Sequence, residues 1–550
     1  MKEFAVSHVA NDVVFATRRH FLEALTRWNY FPNQKSSASE LPPNICTKGF
    51  TPEVAFKLSE IQLNKERRKG GFDLVEYRAT RYNNVSRVLG LIHPLAFANV
   101  FAAFDANYAE LEAARADENS AIHVEQHSDG RMLIMNYEDF ETKAARAVQQ
   151  SFGKRFRAHT DVANCFGSIY THSLEWAIQG FEVAKASLVS SNQPTHWSSN
   201  LDRVLRMSKR NETSGLPIGP ATSSIAVEVI LAAVDRELRK RNFSFERYID
   251  DYAALCATYE EAQDFTRTLG KELSKYRLTL NLAKTHIAEL PEPAQEKWVA
   301  ELMSAATPLL REDGQISYLN SGDAFQFLDH AIRLNNETPD GSVIKFAVAI
   351  VAGRVKDNAA ANVFEFVLNL AWHYPILLPY LEKIDARADS YDKEKLVEKL
   401  NSIISVNVDH RRSDGICWAL YYLERLEAAP SDSSIARVIE SEDCVAIAML
   451  SNFEVAVDRI NAYAKSILNS NLYAKDQNWL LLYQLYRRGL IADPYENEKT
   501  FEVLKQYEVD FFCVEGASTL AEKYCDYVSN PFIEDTDRQN FDEWLQAAEK

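Results

Sequence analysis

Three aspartates carry the strongest chemical signal in this sequence. Asp161 ends a strand-like run that begins at Arg155. Asp250 and Asp251 are adjacent, in an alternating segment from Phe243 to Ala257 that reads as a β-hairpin with the pair at its turn. Carboxylates from separate chain segments, brought to one point, are what a pair of divalent cations requires. Magnesium prefers carboxylate oxygens in octahedral geometry and leaves its other positions to water and substrate phosphates. Two such ions lower the pKa of an attacking hydroxyl and stabilise charge on a phosphoryl group in transfer. The constellation points to phosphoryl transfer with two Mg2+ ions, or Mn2+ in their place. An Asp-Asp turn is also a common surface feature, because Asp favours turns, so the pair needs its surroundings to be read.

The surroundings supply four ordered motifs. Thr160-Asp161-Val162-Ala163-Asn164-Cys165-Phe166, then Gly215-Leu216-Pro217-Ile218-Gly219-Pro220, then Tyr248-Ile249-Asp250-Asp251, then Leu280-Asn281-Leu282-Ala283-Lys284-Thr285 resemble the palm motifs of reverse transcriptases, in order and in rough spacing. The run Asn164 to His172 resembles the abortive-infection and other phage-defence branches of that family, whose members also carry a helical-repeat domain after the palm. The resemblance covers residues 15–290 in sequence and the rest in architecture only.

It implies a fingers-palm core that polymerises dNTPs, with Asp161, Asp250, Asp251 and Lys284 as the catalytic set and Asp161, Val162, Asp250 and Asp251 as the metal set. Lys284 would stand near the leaving pyrophosphate as a cation or proton donor, against the plainer reading of a helix-end surface lysine. Phe166 falls where the family places a steric gate against a 2′-hydroxyl, against the reading of an ordinary core aromatic. Pro217, Ile218, Gly219 and Tyr248 join the substrate-binding set. Arg78, Arg81 and Arg87 fall where the family's fingers contact the triphosphate, and forked guanidiniums suit phosphate oxygens.

One departure from the pattern matters. Many templated members have Gln where this chain has Ile218, and an aliphatic side chain cannot hydrogen-bond an incoming nucleotide there. The departure agrees with the abortive-infection branch, which is associated with untemplated or protein-primed DNA synthesis. DNA covalently attached to the protein is one expected product. Copying of a dedicated non-coding RNA is the alternative, and a non-catalytic nucleic-acid-binding scaffold is a third reading. Three carboxylates that repel one another without metal argue against the scaffold.

The elements that must position these residues are legible in outline. Residues 1–150 mix helical segments and loops and are assigned to an N-terminal and fingers region. The basic run Lys65 to Gly71 is either a solvated helix end or a phosphate-contacting loop, and the stretch Tyr77 to Arg87 interleaves arginines with tyrosines as phosphates and bases require. Residues 151–300 form the palm, with helices at Ser173–Leu188, Thr222–Arg241 and Glu260–Lys275. Over 301–550 apolar spacings of three and four predict an all-α domain. Asp414, Asp443 and Asp476 each precede an apolar run as a helix cap would, about 30 residues apart, which fits HEAT-like repeats or a single irregular bundle. The fold class is α+β followed by this helical domain.

Charge divides the chain unevenly. Residues 1–300 carry 37 basic and 37 acidic side chains, and residues 301–550 carry 24 and 41, which is the whole net charge of −17. A neutral half can hold a local basic groove for nucleic acid, whereas an acidic half suits self-association, so a homo-oligomer is expected. The seven cysteines are scattered without CxxC pairs, which argues against zinc and for a reducing bacterial cytoplasm. No apolar run reaches membrane-spanning length, and the first residues do not read as a signal peptide.

Overall fold

The computed structural model describes residues 18–32, 39–81, 84–115, 122–124, 133–135, 146, 148–187, 196–293, 296–312, 315–316, 318–339, 341–388, 392–495 and 498–513. In the N-terminal part, helix α1 (Lys65–Gly70) leads into an antiparallel hairpin of β1 (Leu74–Thr80) and β2 (Ser86–Ile92), paired from Leu74↔Ile92 to Thr80↔Ser86. Val75, Tyr77 and Ala79 alternate into the core, as the period of two demands. The sequence reading expects only helices and loops here. The charged residues Glu76, Arg78, Arg81 and Arg87 mask the alternation. Tyr82 and Asn83 of the basic-aromatic stretch lie outside the described residues.

A four-stranded sheet is built from β3 (Phe156–Asp161), β4 (Phe245–Tyr248), β5 (Asp251–Cys256) and β6 (His286–Glu289), antiparallel in the order β4-β5-β3-β6. Behind it lie α2 (Ala221–Lys240) and α3 (Tyr259–Lys275). Helix α3 opens with Thr258 Oγ1 accepting from Glu261 N at 3.2 Å, while the Glu261 carboxylate accepts from Ala257 N at 2.6 Å. This reciprocal arrangement is the sequence pattern Thr-x-x-Glu at work. Ala262, Phe265, Leu269 and Leu273 then form its buried stripe. The expected helix over Ser173–Leu188 is two helices, Ser173–Gln179 and Phe181–Ser187, broken at Gly180, where φ is +88° and a glycine fits without strain. Leu188 lies outside the described residues.

From Lys297 onward the described elements are helices, apart from a short pairing of Arg311–Glu312 with Gln315–Ile316 and isolated bridges of Leu319 with Val355 and of Ile45 with Phe512. Among the described residues no helix is long and apolar enough to cross a membrane. Four helices here bear on the hairpin: α4 (Ser413–Arg425), α5 (Cys444–Leu450), α6 (Leu472–Asp476) and α7 (Trp479–Arg487). Asp443 caps α5 by accepting from Ala446 N at 3.0 Å. Asp414 and Asp476 are not caps. Asp414 lies inside α4, where its carboxylate accepts from Thr80 N at 2.7 Å and Thr80 Oγ1 at 2.9 Å. Ser413 Oγ accepts from Arg78 N at 2.8 Å. The open edge of β1 presents unpaired N–H groups, and these acceptors cover it.

Asp476 ends α6 and receives the guanidinium of Arg67, with Nη1–Oδ2 at 2.5 Å and Nη2–Oδ1 at 2.8 Å. Glu498 takes Arg67 Nε at 2.6 Å. Arg67 is fully buried, so this member of the basic run is neither a solvated helix end nor a phosphate contact. Trp479 Nε1 donates to Leu91 O at 3.2 Å. One continuous apolar core, in which Tyr30, Phe31, Trp479 and Phe511 meet ring to ring, joins the two halves. Part of the acidity expected to face outside partners is therefore turned onto the chain's own N-terminal half.

Cys46 and Cys513 form a disulfide where backbone segments pair, Cys46 N to Phe511 O at 3.1 Å and Cys513 N to Asn44 O at 2.8 Å. Scattered spacing gave no sign of this bond, and it departs from the expectation of reduced thiols throughout. Cys165, Cys256, Cys417 and Cys444 are free and buried, while Cys525 lies outside the described residues.

Candidate active site

The register of the four-stranded sheet sets the carboxylates. Asp161 ends β3 and stands opposite Asp251, which opens β5, and Tyr248 at the end of β4 also pairs with Asp251. Asp250 lies in the turn between them. Ile249 adopts a left-handed φ of +57°, and Val162 N donates to Asp250 O at 3.1 Å, tying the turn to the end of β3. Residues 90 positions apart in sequence thus share one end of the sheet because β3 runs antiparallel to β5.

The lysine-bearing segment is stitched to the same end. Asn281 N donates to Asp161 O at 2.9 Å, Ala163 N to Thr279 O at 2.9 Å, and the hydroxyls of Thr160 and Thr285 lie 2.7 Å apart. This places Lys284 Nζ 2.6 Å from Asp161 Oδ2. The hydrogen bond to Asp161 raises the Lys284 pKa, and the ammonium stays charged. Burial raises the pKa of the Asp250 carboxyl, and the neighbouring charges of Asp251 and Asp161 raise it further.

The Leu216-Pro217-Ile218-Gly219 segment closes the next side. Leu216 N donates to Phe166 O at 2.9 Å and Gly215 N to Ile169 O at 2.8 Å, tying the short helix Cys165–Ser168 to this segment. Phe166 is half-buried with its ring against the core. Gly90 N of β2 donates to Ile218 O at 2.9 Å, linking the hairpin to this segment, and the Ile218 side chain packs on the core. Gly219 has φ +130°, and a Cβ there would lie 2.5 Å from Pro32 Cγ. A side chain has neither the conformation nor the room.

The three arginines sit on the hairpin. Arg78 donates to Glu76 at 2.6 Å and feels the charge of Asp443. Arg81 is exposed at the turn, where its N–H donates to Val85 O, and Arg87 lies on β2 opposite Ala79.

Sequence reasoning missed Arg247, Glu228 and Asp235. Arg247, fully buried on β4, donates from Nε to Asp235 Oδ2 at 2.6 Å, from Nη1 to Glu228 Oε2 and Ile249 O, each at 2.9 Å, and from Nη2 to Glu228 Oε1. Two acids spaced seven apart on α2, and an arginine directly before the Tyr-Ile-Asp-Asp box, were the available signal.

Among the described residues, no three His, Cys, Asp or Glu side chains stand ready-made around a cation position. The donor chemistry nonetheless suits a divalent cation. Asp161 Oδ1 is buried without a hydrogen-bond partner, and Asp250 is held under the repulsion of two neighbours. A cation would satisfy both.

Residues 117–321 match the family model described as reverse transcriptase (RNA-dependent DNA polymerase). No curated protein matches the chain. Among solved structures, telomerase from Candida albicans with a fragment of telomeric RNA is 14% identical, with a TM-score of 0.27 over 74% of this chain and 68% of that one. Apo telomerase from Candida tropicalis is 10% identical, with a TM-score of 0.30 over 73% and 69%. Scores of this size do not identify a shared overall fold. The matched segment spans β3 to β6 and all four motifs. The chain carries a reverse-transcriptase domain, and its enzyme class is that of an RNA-directed DNA polymerase, a nucleotidyltransferase.

Proposed function

We propose that this reverse-transcriptase domain makes DNA for anti-phage defence, without an external template and primed from the protein itself. The observation that supports polymerisation most directly is the cross-strand placement of Asp161 and Asp251, with Asp250 beside them and Lys284 on Asp161. In this reading Asp161, Asp250 and Asp251, with Val162 beside them, hold two Mg2+ ions. Bound there, the ions supply a lowered pKa for the attacking hydroxyl and a counter-charge for the phosphoryl group.

The chain's own groups do the rest. The Lys284 ammonium orients Asp161 and places positive charge where pyrophosphate leaves. The Phe166 ring, set by the Leu216–Phe166 hydrogen bond, excludes a 2′-hydroxyl. Tyr248 and the Pro217-Ile218-Gly219 backbone line the nucleotide's seat, and the hairpin arginines Arg78, Arg81 and Arg87 are offered to its phosphates. Ile218 supports untemplated synthesis because its side chain packs on the core and offers no hydrogen bond. Self-association through the helical half, and a bacterial cytoplasmic setting, complete the reading, the Cys46–Cys513 disulfide being a feature that a reducing compartment does not account for.

The test is incubation of the purified chain with Mg2+ and each labelled dNTP, without added nucleic acid, followed by denaturing gels with and without protease. Label that migrates with the protein until protease is added is the expected result. Incorporation only after a specific RNA is supplied would replace protein priming with copying of a dedicated RNA. Incorporation that survives Asp250→Ala/Asp251→Ala would refute the assignment of the site.

A further inference from the structure

We propose that Arg247, held between Glu228 and Asp235, is a positioning residue that fixes the Ile249 turn and thereby sets the affinity of the aspartate cluster for divalent cations. The proposal rests on the polymerase reading of that cluster.

The turn is an uncomfortable one. Ile249 is β-branched and has a φ of +57°, a conformation that persists only where surrounding contacts impose it. Two bonds impose it here. Arg247 Nη1 holds Ile249 O at 2.9 Å, and Val162 N holds Asp250 O at 3.1 Å. Arg247 is in turn immobilised by Glu228 and Asp235, which lie two turns apart on one face of α2, and Tyr252 OH donates to Asp235 Oδ1 at 2.9 Å. All four side chains are buried. A lysine cannot copy this, because only a planar fork reaches two carboxylates and a carbonyl at once.

Stability alone does not account for the arrangement. Buried ion networks gain little over well-packed apolar residues of the same volume. This one also places two carboxylates and one guanidinium beside three aspartates and Lys284, so the neighbourhood holds five carboxylates against two basic groups. Cys165 feels the charges of Asp250, Arg247, Glu228 and Asp161 together, which places the network and the cluster in one electrostatic neighbourhood. An excess of negative charge next to a metal site raises its affinity for cations, and a guanidinium that holds the turn keeps the carboxylates from spreading apart.

The experiment compares the full chain with Arg247→Lys, Mn2+ binding being read by electron paramagnetic resonance and folding by thermal melting. Arg247→Lys keeps the charge and loses the fork. The expected result is a folded variant whose Mn2+ affinity falls about tenfold to a hundredfold, the usual range for groups that orient metal ligands, with kcat reduced and the KM for dNTP unchanged. A folded variant with wild-type Mn2+ affinity would overturn the proposal alone. If Arg247→Lys does not fold, Arg247→Met/Glu228→Gln, which removes one charge of each sign and leaves the local net charge unchanged, decides the matter. Weakened Mn2+ binding in that folded double variant supports the proposal, and unchanged binding overturns it. Absence of Mn2+ binding by the wild-type chain would overturn the polymerase reading, and this proposal with it.

Discussion

Replacing Asp476 by alanine should unfasten the helical half from the hairpin. The Asp476 carboxylate is fully buried and takes two bonds from Arg67, one from Asp73 N at 3.0 Å and one from Tyr495 OH at 2.9 Å. Removing it leaves a buried guanidinium with Glu498 as its one remaining carboxylate partner, and strands two further donors. Breaking a buried pair from one side costs about 3–5 kcal/mol, and each stranded donor costs about 1–3 kcal/mol more unless water reaches it. Glu498 retains Arg67 Nε and offsets part of this, so a loss of about 3–5 kcal/mol is expected for Asp476→Ala. That is a large share of the ~5–15 kcal/mol by which domains are stable. Urea unfolding followed by tryptophan fluorescence measures it, with buried Trp479 three residues away as a local reporter. The variant Arg67→Met/Asp476→Leu/Glu498→Gln should recover most of the loss, since no unpaired charge remains. A loss below about 1 kcal/mol for Asp476→Ala would refute the claim that this cluster carries the junction.

Three further outcomes are expected elsewhere in the molecule. Gly219→Ala brings a Cβ to 2.5 Å from Pro32 Cγ at a φ of +130°, so it should cost about 1–3 kcal/mol and lower dNTP incorporation. Thermal melting and a nucleotide-incorporation assay check both. Burial pushes the Asp414 carboxyl up to about 6 against an ordinary 3.8; the folded state then binds a proton that the unfolded state has released, and stability from this group falls as pH rises from about 4 to about 6. The difference amounts to about 3 kcal/mol at most, and Asp414→Asn should remove that slope in melts run across the window. Phe166→Ala should raise incorporation of ribonucleotides relative to deoxyribonucleotides at least about tenfold; an unchanged ratio would make Phe166 a packing residue only.

What the sequence made legible is what depends on local pattern. The helices expected at Thr222–Arg241 and Glu260–Lys275 form at Ala221–Lys240 and Tyr259–Lys275, because their apolar stripes and flanking turns are encoded within each segment. The Asp250-Asp251 turn falls between β4 and β5 for the same reason. Pairings between distant segments were not legible. Asp414 and Asp476 look like caps in sequence, but their donors are Thr80 and Arg67, hundreds of residues away. The β1–β2 hairpin was hidden by its charges, since Arg78 and Glu76 satisfy each other on one face while Val75, Tyr77 and Ala79 enter the core on the other. Lys284 and Asp161 announce themselves as motif residues, yet the Asn281–Asp161, Ala163–Thr279 and Thr160–Thr285 bonds are what explain how 123 residues of separation close to 2.6 Å.

Two buried clusters of the same composition organise the molecule, and the comparison explains where the acidity goes. Arg67 stands between Asp476 and Glu498, as Arg247 stands between Glu228 and Asp235. In each, one guanidinium satisfies two carboxylates and also reaches a backbone carbonyl, Gly71 O at 3.3 Å in the first and Ile249 O at 2.9 Å in the second. Both carbonyls lie beside a left-handed backbone position, φ +71° at Gly71 and +57° at Ile249. An arginine fork carrying two acids is a rigid unit, and a rigid unit can dictate the direction of the chain where local preference would not. The first fixes the turn that launches β1 and docks the helical half on it, and the second fixes the turn that presents Asp250 and Asp251. Each arrangement uses one more acid than base, so both add to the chain's negative charge while directing it inward. Asp414, Asp443 and Asp476, which read as helix caps in an acidic half, all contribute to holding the hairpin: Asp414 on Thr80, Asp476 on Arg67, and Asp443 through the hydroxyl of Ser413, which in turn accepts from Arg78 N. The helical half is thus positioned to govern the hairpin that touches Ile218 through Gly90, and the palm carboxylates have a separate anchor of their own.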